Sequence, residues 1–181
     1  MSVRRKTAAA ASDFYSSQRV GIFVDVQNLY HSAKNLYQSR INYKELMRAL
    51  VGGRKLIRAV AYVVRSDAST GEGSFFEALE KSGLELRSKD LQVYPDGMKK
   101  ADWDVGLAVD AIRMSPFLDV VVLVTGDGDF VPLVEYLKWG TGRLVEVAAI
   151  HKTASSKLRE AADRFFNIED IPRIFIKKKT I

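Results

Sequence analysis

The chain alternates between short apolar runs and longer stretches in which apolar residues recur every three or four positions. Five runs predict strands. "RVGIFVDV" at 19–26 and "KLIRAVAYVV" at 55–64 are rich in β-branched residues. "DVVVLVT" at 119–125 is almost wholly apolar, as suits a central parallel strand covered on both faces. "LELRSKDLQVY" at 84–94 alternates and is more polar, which fits an edge, and "RLVEVAAI" at 143–150 is the fifth.

Helical periodicity fills the intervals. It covers 27–38 and 42–51, with Asn42 as a cap, and 73–83, with Gly83 as the stop. It continues over 102–114, ending before Pro116, over 129–140, with Pro132 in the first turn, and over 154–165. Strand and helix alternate throughout, so the expected class is α/β with a mainly parallel sheet of about five strands. The organisation that follows is a disordered tail over 1–18, one domain over 19–170 and a basic tail over 171–181. No internal repeat or linker interrupts the domain.

Composition narrows the chemistry. The 181 residues include no cysteine and only two histidines, His31 and His151, which excludes disulfide frameworks, thiolate metal centres and His-rich zinc sites. No apolar stretch approaches the roughly 20 residues needed to cross a bilayer, so no membrane association is expected. A cytoplasmic location is consistent with these features. The formal charge of +6 makes the chain attractive to polyanions, a weak pointer when taken alone.

The acids are placed more tellingly. In an open parallel sheet, ligands bind beyond the carboxyl ends of the strands. Asp25 ends the first strand, in "FVDVQNLY"; Asp127 and Asp129 follow the fourth, in "VTGDGDF"; Asp102 and Asp104 open the helix in "KKADWDVGLAVDAI". If the first and fourth strands are neighbours, these carboxylates converge on one rim. Oxygen-only ligands there suit a hard divalent cation such as Mg²⁺ or Mn²⁺, which completes its shell with water and substrate phosphate.

Each residue also has a plainer reading. Asp25 and Asp129 could cap the helices that follow them, and Asp102 reads more as a cap than as a ligand. Asp110, six residues beyond Asp104, reads as structural. Asn28 either contacts a carboxylate or substrate or merely starts its helix. Thr125 is placed to orient a water, Lys100 to touch phosphate, and Trp103, between two acids, to stack on a base. Tyr30 and Tyr94 share that stacking role, and Arg65, Lys99, Lys138, Lys152 and Lys157 are further basic positions near loops or helix ends.

The segments "IFVDVQNLY", "KKADWDVGLAVDAI", "VTGDGDFVPLVEYLKWG" and "SSKLREAADRFFNI", in that order over about 19–170, resemble the NYN domain in its LabA-like branch of the PIN-like nucleases. The resemblance implies a PIN-like three-layer α/β/α sandwich, an acidic Mg²⁺ or Mn²⁺ site and ribonuclease activity. Carried over by position, it assigns Asp25, Asp104, Asp127 and Asp129 as metal-binding and catalytic, with Asn28 beside them. RNA, single-stranded or structured, is the implied partner. A regulatory or RNA-binding module that keeps the acids without turnover is the alternative. A phosphatase is disfavoured because the second aspartate of the haloacid-dehalogenase pattern is replaced by Gln27. A homodimer is compatible with the chain, though no interface is legible.

Overall fold

A computed structural model describes residues 15–65, 72–93, 99–100 and 102–177, with 92–93 and 99–100 as backbone alone. Ten strands are described: β1 (Arg19–Asp25), β2 (Ser39–Ile41), β3 (Lys55–Arg65), β4 (Glu85–Asp90), β5 (Gln92–Val93), β6 (Lys99–Lys100), β7 (Val120–Val124), β8 (Leu144–Ala149), β9 (Arg164–Asn167) and β10 (Phe175–Lys177). The helices are α1 (Val26–Tyr37), α2 (Tyr43–Val51), α3 (Glu72–Lys81), α4 (Asp104–Met114), α5 (Val131–Glu135) and α6 (Ser156–Ala161), with a π-helical turn prolonging α5 over Tyr136–Gly140.

Six strands form one sheet in the order β4-β3-β1-β7-β8-β9, every pair parallel. Alternation along β1 and β7 explains the layering. Val20, Ile22, Val24, Val120, Val122 and Val124 face one core with Leu29 of α1, Leu46 of α2 and Leu79 of α3. Phe23, Val121 and Leu123 face a second core with Leu107 of α4, Leu133 of α5 and Leu158 of α6. Central strands buried on both sides read as continuous apolar runs, which is why β1 and β7 were legible. The result is the expected α/β/α sandwich, and the polar strand β4 does lie at an edge.

The sheet has a sixth strand where helix was expected. The helix over 154–165 stops at Ala161, and β9 begins at Arg164. Asp163 makes the break: its backbone N–H donates to Val145 O, and its carboxylate accepts from Val145 N–H at 2.8 Å. β10 falls in the stretch assigned to the basic tail, yet pairs antiparallel with β2. Residues 1–14 and 178–181 lie outside the described residues. Among the described residues no helix is long and apolar enough to cross a membrane.

Candidate active site

The sheet order settles the question on which convergence depended. β1 and β7 are neighbours, with Val24 registered to Val124, so Asp25 and Thr125 emerge side by side at the carboxyl rim. Asp25 does cap α1, accepting from Asn28 N–H at 3.1 Å through Oδ1. Its Oδ2 accepts from the Thr125 hydroxyl at 3.2 Å. The same hydroxyl accepts from Asp127 N–H at 3.2 Å. Thr125 is fully buried, so it acts on the two aspartates rather than on substrate. Asn28 reaches across the strands, its Oδ1 accepting from Gly126 N–H at 2.9 Å. The "D-x-x-N" segment and the start of the "GDGD" loop are therefore clamped together by the side chains of Asp25, Asn28 and Thr125.

Capping also divides the aspartates of the loop. Asp127, not Asp129, caps the short 3-10 helix over Gly128–Phe130, accepting from Asp129 N–H at 3.0 Å. Asp129 needs another explanation for its exposed carboxylate. The loop glycines serve close packing rather than a left-handed turn, since neither Gly126 nor Gly128 has a positive φ. A Cβ on Gly126 would lie 3.1 Å from Ala154 Cα, and one on Gly128 would lie 2.9 Å from Ser155 Oγ. Ser155 N–H donates to Gly126 O at 2.9 Å and the Ser155 side chain caps α6. The 153–155 segment is thus a support of the site that its sequence does not advertise.

Asp104 arrives from the first turn of α4, whose cap position, Trp103, makes no side-chain capping bond. Asp102 does not cap either; its carbonyl accepts from Lys89 Nζ at 2.9 Å. Burial raises the Asp104 carboxyl above its usual range, and the charges of Asp25, Asp127, Asp102 and Asp129 push it further. Burial likewise raises Asp25, opposed by its hydrogen bonds from Asn28 and Thr125 and reinforced by Asp127. Among the described residues none of Asp25, Asp104, Asp127 and Asp129 is ion-paired. Four carboxylates therefore share one field, and among the described residues no side-chain cation pairs with any of them.

That arrangement has a stability consequence. A carboxyl whose folded pKa is raised binds its proton more tightly in the folded state, so stability falls as pH rises from the unfolded value through the raised one. At pH 7 without metal, Asp104→Asn is expected to melt a few degrees higher than the parent chain. The gap should close near pH 3, where both side chains are neutral. Calorimetric melts across that range check this.

The remaining residues divide clearly. Asp110 is structural: Tyr62 Oη donates to it at 2.9 Å and Arg87 lies 3.4 Å away. Lys138 is held by Asp163 at 3.1 Å and by the Ala161 carbonyl. Lys152 sits over the Tyr37 ring. The side chains of Lys99 and Lys100 and the whole of Tyr94 lie outside the described residues. Trp103 is half-buried, donates its indole N–H to Val63 O at 2.8 Å and packs on Tyr62, with Lys89 above its ring. A Cβ on Gly106 would lie 2.6 Å from the indole. Gly106→Ala should displace the ring and cost about 1–2 kcal/mol, partly offset by better helix propensity. A red-shifted Trp103 emission, read in a Trp139→Phe background, is the signature.

Comparison with known proteins places these features. The chain matches the NYN domain over residues 19–169. It belongs to the NYN domain family. This NYN domain is 26% identical over 175 residues to the low amplitude and bright protein LabA of Synechococcus elongatus, covering 91% of this chain and 90% of that one. It is also similar to the crystal structure of a protein of unknown function from Vibrio parahaemolyticus, with a TM-score of 0.82 and 32% identity. That match covers 89% of this chain and 98% of the other. The protein is thus a LabA-like domain of the PIN-like nuclease type, and its matched span contains all four rim aspartates.

The donor chemistry of the rim fits a hard divalent cation: carboxylates, an amide and no imidazole or thiolate. Among the described residues, however, no three acidic or imidazole side chains are close enough to grip one ion directly. Mutual repulsion keeps unneutralised carboxylates apart. The fit is to an ion of the magnesium kind, bound by one or two carboxylates and otherwise through water.

Proposed function

We propose that this NYN domain is a metal-dependent endoribonuclease whose Mg²⁺ or Mn²⁺ is held at the sheet rim by Asp25, Asp104, Asp127 and Asp129, one or two of them directly and the others through water. The observation that carries the reading is the field of four carboxylates, none ion-paired among the described residues, delivered by three separate segments, with Asp25 and the Gly126–Asp127 backbone held by Thr125 and Asn28. Acids so placed would repel a phosphodiester, so cation and polyanionic substrate belong together. The bound ion would neutralise charge on the scissile phosphate and make water a stronger nucleophile.

The protein's own part is placement. Thr125 and the Asn28 N–H fix the two oxygens of Asp25. Asn28 spends its carbonyl on Gly126, which leaves its amide NH₂ as a donor toward substrate. Asp129, exposed and not engaged in capping, is the rim acid most open to an incoming strand. RNA as substrate rests on the family and on the +6 charge.

The test is a labelled single-stranded RNA incubated with the purified protein in Mn²⁺ and, in parallel, in excess EDTA. Cleavage that needs the ion supports the reading; equal cleavage in EDTA refutes it. Calorimetric Mn²⁺ binding with no turnover would favour the regulatory alternative instead.

A further inference from the structure

A cavity of about 550 Å³ opens beside the acidic rim and is used by none of the chemistry above. Val26 and Gln27, which line it, follow Asp25 directly. Val63 and Val64, which also line it, follow Tyr62, the residue of β3 registered to Asp25. Adjacent strands lie about 4.8 Å apart, so the cavity begins roughly one strand spacing from the first acid. Buried Tyr43 lines it too and feels the charge of Asp25.

Its walls combine three kinds of group. Tyr30, Phe75 and Phe76 supply aromatic surface, and Tyr30 is 41% exposed. Lys34 and Arg40 supply positive charge, and among the described residues neither is ion-paired. Gln27 supplies amide donors and an acceptor. Glu72 is the acid among the lining residues. A purely apolar ligand would leave the cations unused, and a bare inorganic anion would leave the rings unused. A base with a phosphate attached uses both, and the volume is ordinary for a small-ligand site.

We propose that this cavity is a nucleotide subsite: it receives one nucleoside monophosphate unit, with the base against Tyr30, Phe75 and Phe76 and the phosphate on Lys34 and Arg40. The unit comes either from an RNA strand crossing the acidic rim or from free mononucleotide. Its use as an RNA subsite rests on the ribonuclease reading; its chemistry as a nucleotide site does not.

The experiment measures binding in excess EDTA, where cleavage is arrested, by calorimetry and by saturation-transfer NMR. The probes are a nucleoside 5′-monophosphate, a short single-stranded RNA and inorganic phosphate. The proteins are the full chain, the double variant Lys34→Glu/Arg40→Glu and a control, Lys55→Glu, at the opposite end of β3. Both cations of the double variant are exposed, and circular dichroism checks the fold. Expected results are saturation transfer to base protons, at least a tenfold loss of affinity in the double variant, and less than twofold in the control. In Mn²⁺ the double variant should raise KM for RNA with kcat nearly unchanged.

Binding of RNA and mononucleotide with those losses supports the subsite and an RNA source. Binding of mononucleotide with the same losses but no RNA cleavage supports the subsite with a free-nucleotide source and counts against the nuclease reading. Unchanged binding and KM in the double variant, or an equal loss in the control, overturns the subsite even if the protein cuts RNA. Tight binding of phosphate with no transfer to any base proton overturns it as well.

Discussion

Asp127→Asn should lower RNA cleavage by roughly a thousandfold while leaving the melting temperature of the metal-free protein unchanged or slightly raised. The asparagine keeps the Oδ1 that accepts from Asp129 N–H, so the 3-10 helix over Gly128–Phe130 retains its cap. It also keeps the backbone N–H that bonds Thr125. What it loses is a negative charge in the shared field, and with it affinity for a divalent ion. Asn28→Ala provides the contrast. It leaves every carboxylate in place but frees Gly126 N–H from its clamp, and a loss of about 10- to 100-fold is expected from misplacement alone. The two variants are compared in steady-state cleavage of one RNA over a range of Mn²⁺ concentrations. Extra Mn²⁺ should rescue the Asn28 variant far better than the Asp127 variant.

The largest effect on stability is expected far from the rim. Arg54, just before β3, forms a two-pronged pair with Glu146 of β8, at 3.0 and 2.9 Å. Their side chains are only 7% and 9% exposed. The same guanidinium donates to Leu50 O at 2.7 Å and Val51 O at 3.2 Å, so it also closes the C-terminal end of α2. Because β1 and β7 lie between β3 and β8, this pair ties α2 across the middle of the sheet. Arg54→Ala strands a buried carboxylate and frees two helix carbonyls, at a cost of about 3–5 kcal/mol. For a chain of this size that lowers the melting temperature by roughly 10 °C or more. The double variant Arg54→Met/Glu146→Leu should recover most of the loss, because the pair's desolvation disappears with its attraction. Denaturant unfolding of the three proteins measures both quantities.

These two regions differ in how plainly the sequence speaks of them. β1 and β7 are buried on both faces, so their apolar runs were unmistakable, and acids placed after them had to lie at a sheet rim. That reasoning located Asp25, Asp127 and Asp129 without any contact being known. The glycines of "GDGD" need neither a positive φ nor a special turn, but room for residues 153–155. Such tertiary approach leaves no local signal. Neither do β2 and β10, three residues each, which exist because they pair with one another across more than a hundred residues of chain. β9 was absorbed into a helical pattern because "EAADRFF" carries good helix formers up to Asp163, and what stops the helix is a bond to Val145, distant in sequence. Glu146 was visible as an acid inside an apolar strand, but nothing near it names Arg54 as its partner.

The central claim, that the rim aspartates and a divalent ion direct water at an RNA phosphodiester, is tested most directly by the ends of the fragments. RNA is cleaved by the purified protein in Mn²⁺ with water enriched in heavy oxygen, and the products are read by mass spectrometry. Fragments with 3′-hydroxyl ends and one heavy oxygen in each new 5′-phosphate are the predicted result. Fragments ending in 2′,3′-cyclic phosphate, or RNA left intact at every Mn²⁺ concentration, would contradict the account.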